Sequence, residues 1–227
     1  MTYRLAWLAD VARAAGLKVE EVPGWQTRGH GDMAEPLWGV ICHHTAGGKA
    51  GNMPSLETVT EGRPELAGPL CNYALGRDGT VYTVAAGCAW HAGQGAYHGM
   101  TAGNSHWIGI EAENSGYIDP DSPLYDLPWP QVQIDAYARL CAAILDHLHL
   151  GPDRCIAHHE WAPKRKTDPS FGYVPFNRRP AKPYRYDFAP FRALVASHMV
   201  LPKAAEHDAH DCCGNNAHDH PMGTAGA

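Results

Sequence analysis

The sequence predicts an α/β domain in which a mixed central β-sheet is flanked by helices. Three observations predict this fold class. Short apolar runs of strand length alternate with segments of helical period along the chain of 227 residues. One segment carries the turn signature of a β-hairpin, and the longest helical segment is apolar along a single face. Strands that alternate with helices in this way are typical of layered α/β domains.

The first third of the chain contains two predicted helices and two predicted extended segments. Residues 4–15 are expected to form an amphipathic helix, because apolar side chains recur along one stripe and Gly16 follows as a stop. Residues 19–22 form a short extended run. Residues 39–47 begin as a continuous apolar run and end in polar residues and glycine, which predicts a buried strand. Residues 55–61 are long enough for one or two helical turns.

The remaining elements follow from a turn signal and from helical periodicity. Residues 72–84 contain two extended runs on either side of Asp78-Gly79, which predicts a hairpin. Residues 130–150 have apolar side chains at the period of about 3.6 residues, so they are expected to form the longest helix. The other expected elements are a strand over 107–113, a last strand over 154–158 and a short helix over 188–200.

Composition divides the chain into two unequal parts. Residues 1–202 have the apolar content of one globular domain, whereas residues 203–227 are mainly histidine, aspartate, glycine and other small residues. A segment with so few apolar side chains is expected to be disordered. Its histidines and cysteines lack a firm zinc-finger spacing, so a structural zinc site and loose, adventitious metal binding both stay open for this tail.

Charge and hydropathy exclude several classes of protein. The net charge of -6 argues against a nucleic-acid binder, and no apolar run reaches the length of about 18 residues that indicates a membrane span. Asp10 interrupts the first apolar segment before it reaches the length of a signal peptide, so we expect synthesis in the cytoplasm. Seven cysteines make an odd count, which favours small buried thiols in a reducing compartment over a disulfide framework.

The loop over residues 157–169 has the composition of a functional site. It brings histidine, lysine and aspartate together in one short loop, with almost no apolar residue that a core could use. His158 and Asp168 are suited to zinc, which in catalytic sites takes three protein ligands and keeps an open position for water. His43, near the end of the predicted strand over 39–47, is the candidate for the third ligand. The alternative is a basic surface loop in which Asp168 is a solvated partner.

The alternation of side chains limits which histidines can share one site. Neighbouring residues of a strand face opposite sides of the sheet, so only one of His43 and His44 can easily enter a site on one face. The same reasoning applies to His158 and His159. Lys166 would be an unusual metal ligand, but its charge would stabilise an oxyanion that develops beside a metal.

Four motifs, in this order, resemble those of a known enzyme family. The motifs are Gly39–Gly47, Trp90–Gly93, Ile108–Glu111 and His158–Pro169. Together they resemble the zinc-dependent N-acetylmuramoyl-L-alanine amidases, a superfamily that includes peptidoglycan recognition proteins, the cytoplasmic muropeptide-recycling amidase and amidase domains of phage endolysins. The resemblance covers residues 39–169, and its details look most like endolysins of phages that infect actinobacteria.

The resemblance implies a peptidoglycan-recognition-protein-like amidase fold with one catalytic zinc ion. His43, His158 and Asp168 match the metal ligands of the family. Lys166, two residues before the ligand aspartate, matches the catalytic lysine of the family. An aspartate as the third ligand is the pattern of the recycling amidase, whereas the recognition proteins and some phage amidases have a cysteine there.

The choice of ligand also bears on the catalytic base. Members with a cysteine ligand use a tyrosine at a position that falls on Cys71 here, so the tyrosine role is not carried over. Members with an aspartate ligand use the glutamate that matches Glu111, which is therefore the expected base.

The expected substrate-binding residues are Trp90, His91 and Asn114. For two of them a structural role is the alternative, in which Trp90 lies in the core and His91 is a hydrogen-bonded loop residue.

The function implied by the resemblance is zinc-dependent hydrolysis of the amide bond between N-acetylmuramic acid and L-alanine in peptidoglycan. The protein would be a monomeric phage endolysin, made in the host cytoplasm, that acts on the cell wall after its release at lysis. Its partners would be the glycan strand and the stem peptide, with no nucleic acid and no membrane insertion. The alternatives are a non-catalytic peptidoglycan-binding module and a cytoplasmic recycling amidase.

Overall fold

The computed structural model describes residues 3–170 and 187–200. Within these residues the chain forms eight strands and six α-helices. The strands are β1 (Val19–Glu21), β2 (Gly39–His44), β3 (Gly62–Arg63), β4 (Leu66–Ala67), β5 (Tyr73–Leu75), β6 (Val81–Thr83), β7 (Trp107–Ala112) and β8 (Cys155–Ala157). The helices are α1 (Leu8–Ala14), α2 (Leu56–Glu61), α3 (Gly103–His106), α4 (Gln131–His147), α5 (His158–Trp161) and α6 (Ala189–His198).

Six of these strands form one mixed sheet in the order β1-β6-β5-β7-β2-β8. Within this sheet β5 and β6 pair antiparallel and the other neighbours pair parallel. The antiparallel pair is the predicted hairpin, and Gly79 in its turn has a φ of 83°, which glycine adopts without strain. A mixed sheet with helices packed against it confirms the predicted fold class.

The two faces of β2 contribute to different parts of the core. Val40 and Cys42 belong to the larger apolar cluster, which contains the buried side chains of α1, α4 and α6. Ile41 belongs to a smaller cluster on the other face, together with Trp107 and Trp161. The alternation expected for β2 is therefore present, and His43 lies on the face of Ile41.

The strand register brings the candidate catalytic residues to one edge of the sheet. Parallel strands β2, β7 and β8 end at the same edge, where ligands of α/β sheets usually bind. Adjacent strands pair His43 with Glu111, and Cys42 with Ala157. Because His158 directly follows Ala157, its side chain is brought beside that of His43.

The last strand is shorter than the sequence analysis predicts. It ends at Ala157, and His158 begins the helical turn α5 instead of continuing the strand. The backbone N–H of Ala157 donates to Oε2 of Glu160 at 2.9 Å, and the N–H of Ala162 donates to the carbonyl of His158 at 2.8 Å. These bonds stabilise the turn, so strand alternation does not decide which histidine of the pair His158–His159 enters the site.

The other predicted elements are present with shifted ends. The helix predicted over 4–15 spans Leu8–Ala14, and the long helix predicted over 130–150 spans Gln131–His147. None of the helices in the described ranges is both long enough and apolar enough to cross a bilayer. The predicted boundary at residue 202 and the tail over 203–227 lie outside the described residues.

Candidate metal centre

Three side chains at the carboxyl edge of the sheet point their donor atoms at one another. Nδ1 of His43 lies 2.8 Å from Nδ1 of His158. Oδ2 of Asp168 lies 3.0 Å from Nδ1 of His158 and 3.3 Å from Nδ1 of His43. Both imidazoles are almost fully buried, with exposed fractions of 1% for His43 and 2% for His158. The structure thus brings together the three residues that the sequence analysis selected as ligands.

The hydrogen bonds of His158 fix which of its ring nitrogens carries a proton. Nε2 of His158 lies 3.0 Å from the carbonyl oxygen of Ala92. A carbonyl oxygen can only accept, so Nε2 must be the protonated nitrogen of the neutral ring. Nδ1 of His158 therefore presents a lone pair towards His43 and Asp168.

A relay of two histidines fixes the tautomer of His43 in the same way. Nε2 of His91 donates to the carbonyl oxygen of Trp107 at 3.1 Å, so Nδ1 of His91 is an acceptor. That acceptor lies 3.0 Å from Nε2 of His43, which must therefore donate. Nδ1 of His43 is left with a lone pair. Gly109 makes room for this relay, because a Cβ atom at that position would lie 2.4 Å from Cγ of His91.

The protonation states are consistent with this assignment. Burial lowers the pKa of His43 to about 3, so the ring is neutral at pH 7. Burial alone would raise the pKa of Asp168, but its hydrogen bonds with His158 and His43 more than offset this and hold its pKa well below the usual range. Asp168 is therefore ionised at neutral pH.

The three donors together fit a metal ion. Two neutral imidazole lone pairs and one carboxylate oxygen converge without a proton between the two ring nitrogens, which would repel each other unless a cation lies among them. Neutral histidine and ionised carboxylate are the protonation states that metal binding requires. Two histidines and one carboxylate are also a donor set of catalytic zinc sites, and hydrogen bonds to carbonyls from the distal ring nitrogens are typical of metal-bound histidines.

Glu111 lies beside the donors without joining them. Its carboxylate oxygen Oε2 is buried and has no hydrogen-bond partner within the described residues. Burial, followed by the negative charge of Asp168, raises the pKa of Glu111 well above its ordinary value. A carboxylate with an unsatisfied oxygen and a raised pKa, next to a metal site, is suited to proton transfer.

Lys166 differs from the two basic residues that precede it. Lys164 is exposed, whereas Arg165 donates to the carbonyl oxygens of Ala92 at 2.8 Å and of Gln94 at 2.7 Å, and so anchors the loop. Lys166 is half-buried; its positive charge adds to the effect of burial that lowers the pKa of His43, and partly offsets the rise in the pKa of Glu111. The loop is therefore not a uniformly solvated basic turn, because its third cation acts electrostatically on the centre.

The second histidine of each pair has a structural contact of its own. Nδ1 of His44 accepts the backbone N–H of Ser170 at 3.1 Å, and burial lowers the pKa of His44 to about 4. The backbone N–H and Nδ1 of His159 contact the carbonyl oxygen of Asp168 at 3.0 and 3.1 Å. His159 therefore holds the backbone of a candidate ligand, a role that the sequence analysis did not anticipate.

The three candidate substrate-binding residues have different environments. Trp90 is 40% exposed and stacks on His30 with ring centroids 3.7 Å apart, so it is not a core residue. His91 uses both ring nitrogens within the protein, as the hydrogen-bonded alternative expected. Asn114 is buried; its amide donates to the carbonyl of Asp126, and its oxygen accepts from the N–H of Gly116. Contact of these residues with substrate stays a prediction.

Comparison with known proteins agrees with the motifs. The sequence profile of the family described as N-acetylmuramoyl-L-alanine amidase matches residues 33–171. The N-acetylmuramoyl-L-alanine amidase AmiD of Escherichia coli strain K12 is 41% identical over 81 residues, which are 36% of this chain and 29% of AmiD. The match thus spans less than a third of the length of this curated relative.

Two solved structures share the fold. The complex of E. coli AmiD with anhydro-N-acetylmuramic acid-L-Ala-D-gamma-Glu-L-Lys has a TM-score of 0.54 and 26% identity, covering 82% of this chain and 68% of AmiD. A selenomethionine derivative of AmpD has a TM-score of 0.55 and 23% identity, covering 86% of this chain and 99% of AmpD. These matches confirm the expected amidase fold. Since the family profile spans more than half of the 227 residues, the chain belongs to the N-acetylmuramoyl-L-alanine amidase family.

Proposed function

We propose that this chain is a zinc-dependent amidase that hydrolyses the bond between N-acetylmuramic acid and L-alanine in peptidoglycan. The observation that carries the proposal is the pair of Nδ1 lone pairs on His43 and His158, 2.8 Å apart and facing the carboxylate of Asp168. Such a group needs a cation, and the family membership indicates the reaction. Zinc suits the donors, because it accepts imidazole and carboxylate together and leaves a position for water.

The chain supplies the groups that the reaction needs around such an ion. When bound there, zinc provides Lewis acidity and lowers the pKa of a water molecule from about 15.7 to about 7. Glu111 accepts the proton of the attacking water and delivers it to the amine of the departing alanine. Lys166 stabilises the negative charge that develops on the carbonyl oxygen, a contribution worth about 2.7–4 kcal/mol for one donor. His91 and the carbonyl of Ala92 hold the two histidines in the tautomers required for binding.

The biological setting is the second part of the proposal. We favour an endolysin that acts on the polymeric cell wall, as the motif resemblance to phage enzymes implies. A specific observation also supports a recycling amidase that acts on soluble fragments. AmiD, at 41% identity over the matched segment, has been crystallised with a soluble anhydro-muropeptide. In one setting the substrate is the polymeric cell wall and in the other it is soluble fragments, and both settings use the same chemistry at the same metal centre.

Mass spectrometry of digested peptidoglycan tests both parts. Incubation of purified walls should release stem peptides with a new N-terminal L-alanine, a chelator should abolish the release, and added zinc should restore it. The variant His158→Ala is the inactive control. A protein that sediments with walls and releases no peptide would be a binding module instead of an enzyme.

The same assay separates the two settings. The ratio kcat/KM is measured on polymeric walls and on soluble anhydro-muropeptides at equal concentrations of muramoyl-peptide bonds. An endolysin should favour the walls, whereas a recycling amidase should favour the fragments. A strong preference for the fragments would overturn the endolysin assignment and leave the amidase assignment intact.

A further inference from the structure

Three cysteines lie together on the reverse side of the sheet from the metal centre. Cys42 belongs to β2, Cys141 to α4 and Cys155 to β8, and all three are 0% exposed. Sγ of Cys42 lies 3.7 Å from Sγ of Cys141 and 3.7 Å from Sγ of Cys155. The three sulfur atoms lie within 4.8 Å of one another. No part of the amidase reaction uses them.

The position of the cluster links it to the strands that carry the ligands of the metal centre. Cys42 directly precedes His43 and faces the opposite side of β2, towards α4. Cys155 lies three residues before His158. Bonds from the three sulfur atoms to one shared ion would therefore join β2 and β8 to α4.

A disulfide between the two strands is excluded by their register. Cys42 pairs with Ala157, so Cys155 is displaced by two residues along the adjacent strand. Strands about 4.8 Å apart, with a rise of about 3.3 Å per residue, place the two Cα atoms about 8 Å apart. This exceeds the limit of about 7 Å beyond which a disulfide needs movement of the backbone. A metal ion bridges longer sulfur separations.

The observed sulfur separations suit coordination of one ion. With metal–sulfur bonds of about 2.3 Å, as for zinc, a tetrahedral site places neighbouring sulfur atoms about 3.8 Å apart. The two measured separations of 3.7 Å match this edge. Thiolate donors select zinc, copper(I) and similar soft cations over magnesium or calcium.

We propose that Cys42, Cys141 and Cys155 form a second, structural metal site for one thiophilic cation such as Zn²⁺ or Cd²⁺. Binding exchanges the three thiol protons for the divalent ion, which leaves one net negative charge at the site. Arg192 lies beside the site, because its Nε donates to the backbone carbonyl of Cys155 at 3.0 Å, and its Nη2 is paired with the carboxylate of Glu160 at 2.7 Å. The site fastens β2 and β8 to α4 and takes no part in hydrolysis.

Cadmium is the probe, because a thiolate–cadmium bond produces a charge-transfer absorption that nitrogen and oxygen ligands do not produce. The metal centre contains no sulfur, so the band reports the cysteines alone. The full chain is used with Cys212 and Cys213 of the tail replaced by serine. Since the three thiols are buried, reduced protein is refolded with increasing Cd²⁺ as well as titrated in the native state. The absorption band should stop increasing once one equivalent of Cd²⁺ is bound to the thiolates.

Two variants distinguish the cluster from other thiols. Cys141→Ser should abolish the stoichiometric band, whereas Cys88→Ser should retain it, because Sγ of Cys88 donates to the carbonyl of Asn104 outside the cluster. Circular dichroism checks that each variant folds. X-ray absorption at the cadmium edge is measured at one equivalent of Cd²⁺ on His158→Ala, in which the catalytic centre has lost a donor, and it should count three sulfur neighbours. This measurement does not depend on the folding of Cys141→Ser.

Three results would overturn the proposal of a metal site at the cysteines. If neither refolded nor native parent protein shows the band, the three thiols are only small apolar side chains packed in a core. A band of unchanged amplitude in folded Cys141→Ser would also overturn the proposal. So would fewer than three sulfur neighbours around the cadmium of His158→Ala.

Discussion

His43 and Glu111 occupy the same register position on the adjacent parallel strands β2 and β7. Neighbouring strands are about 4.8 Å apart, so the first proposed ligand of the centre and the proposed base are held side by side by backbone hydrogen bonds. The base is thus built into the sheet, in contrast to Lys166 and Asp168, which lie on a loop. Replacement of the Glu111 carboxylate by a neutral group should therefore leave the position of this side chain relative to His43 unchanged.

Replacement of Glu111 by glutamine should separate proton transfer from metal binding. Glutamine has the same shape and cannot take a proton from water, so peptide release should fall by about 10²–10⁴-fold, the usual contribution of a general base. The zinc content, measured by atomic absorption, should stay at one ion in the catalytic centre. Near-full activity in Glu111→Gln would show that another group is the base.

The raised pKa of Glu111 predicts a pH-dependent effect on the stability of the metal-free protein. Because its folded-state pKa lies above the unfolded value of about 4.3, ionisation opposes folding. The cost appears as the pH rises from the unfolded pKa towards the folded pKa and is constant above it. Metal-free Glu111→Gln should therefore have a higher Tm than the parent at pH 7. The difference should vanish well below pH 4, where the carboxyl is protonated in both states, and an equal Tm at pH 7 would contradict the shift.

The two adjacent histidines of α5 should respond differently to truncation. His158→Ala removes one of three donors and should lose the zinc of the catalytic centre together with activity. His159→Ala is the matched control, because it removes only the ring contact with the carbonyl oxygen of Asp168 and keeps the backbone N–H bond to the same oxygen. It should retain that ion. Tight zinc in the catalytic centre of His158→Ala, measured with the tail and cluster cysteines replaced, would refute the ligand set.

Lys166 and Lys164 form a second matched pair. Lys166→Met should reduce kcat by about 10²–10³-fold, the effect of losing one donor to an oxyanion, while zinc is retained. Lys164→Met removes the same charge from an exposed position of the same loop and should leave kcat unchanged. Steady-state kinetics on one substrate measures kcat for the parent and for both variants. If both variants lose activity equally, the effect belongs to the net charge of the loop and not to a placed cation.

Local patterns were sufficient to predict most strands of the sheet and to select the three candidate ligands that the structure brings together. The alternation along β2 placed His43 and Cys42 on opposite faces, and the Asp-Gly pair predicted the hairpin. These features depend on residues that are close together in the sequence, so they can be predicted from the sequence alone. The helical turn at His158 was not predicted, because Glu160 stabilises it through a single hydrogen bond that no periodicity reveals.

Contacts between distant segments account for what the sequence analysis missed. The bond between His43 and His91 joins residues 48 positions apart, and the cysteine cluster joins residues 99 and 113 positions apart. Neither follows from spacing, since each depends on how a loop or a helix packs on the sheet. A histidine directly after Trp90 was recognisable as part of a motif, but its partner was not.

The relay through His91 predicts that a residue outside the donor set controls metal affinity. His91→Phe keeps a ring of similar size but removes the acceptor for Nε2 of His43, so the tautomer of His43 is no longer fixed. Loss of such an outer hydrogen bond typically weakens metal binding by about 10–100-fold. His91→Gln can offer an amide oxygen to the same N–H and should recover part of the affinity. Zinc dissociation constants from competition with a chelator measure both, with His106→Phe as control, since that ring bonds to the carbonyl of Pro36. Equal affinities for His91→Phe and the parent would show that His43 needs no partner to present its lone pair.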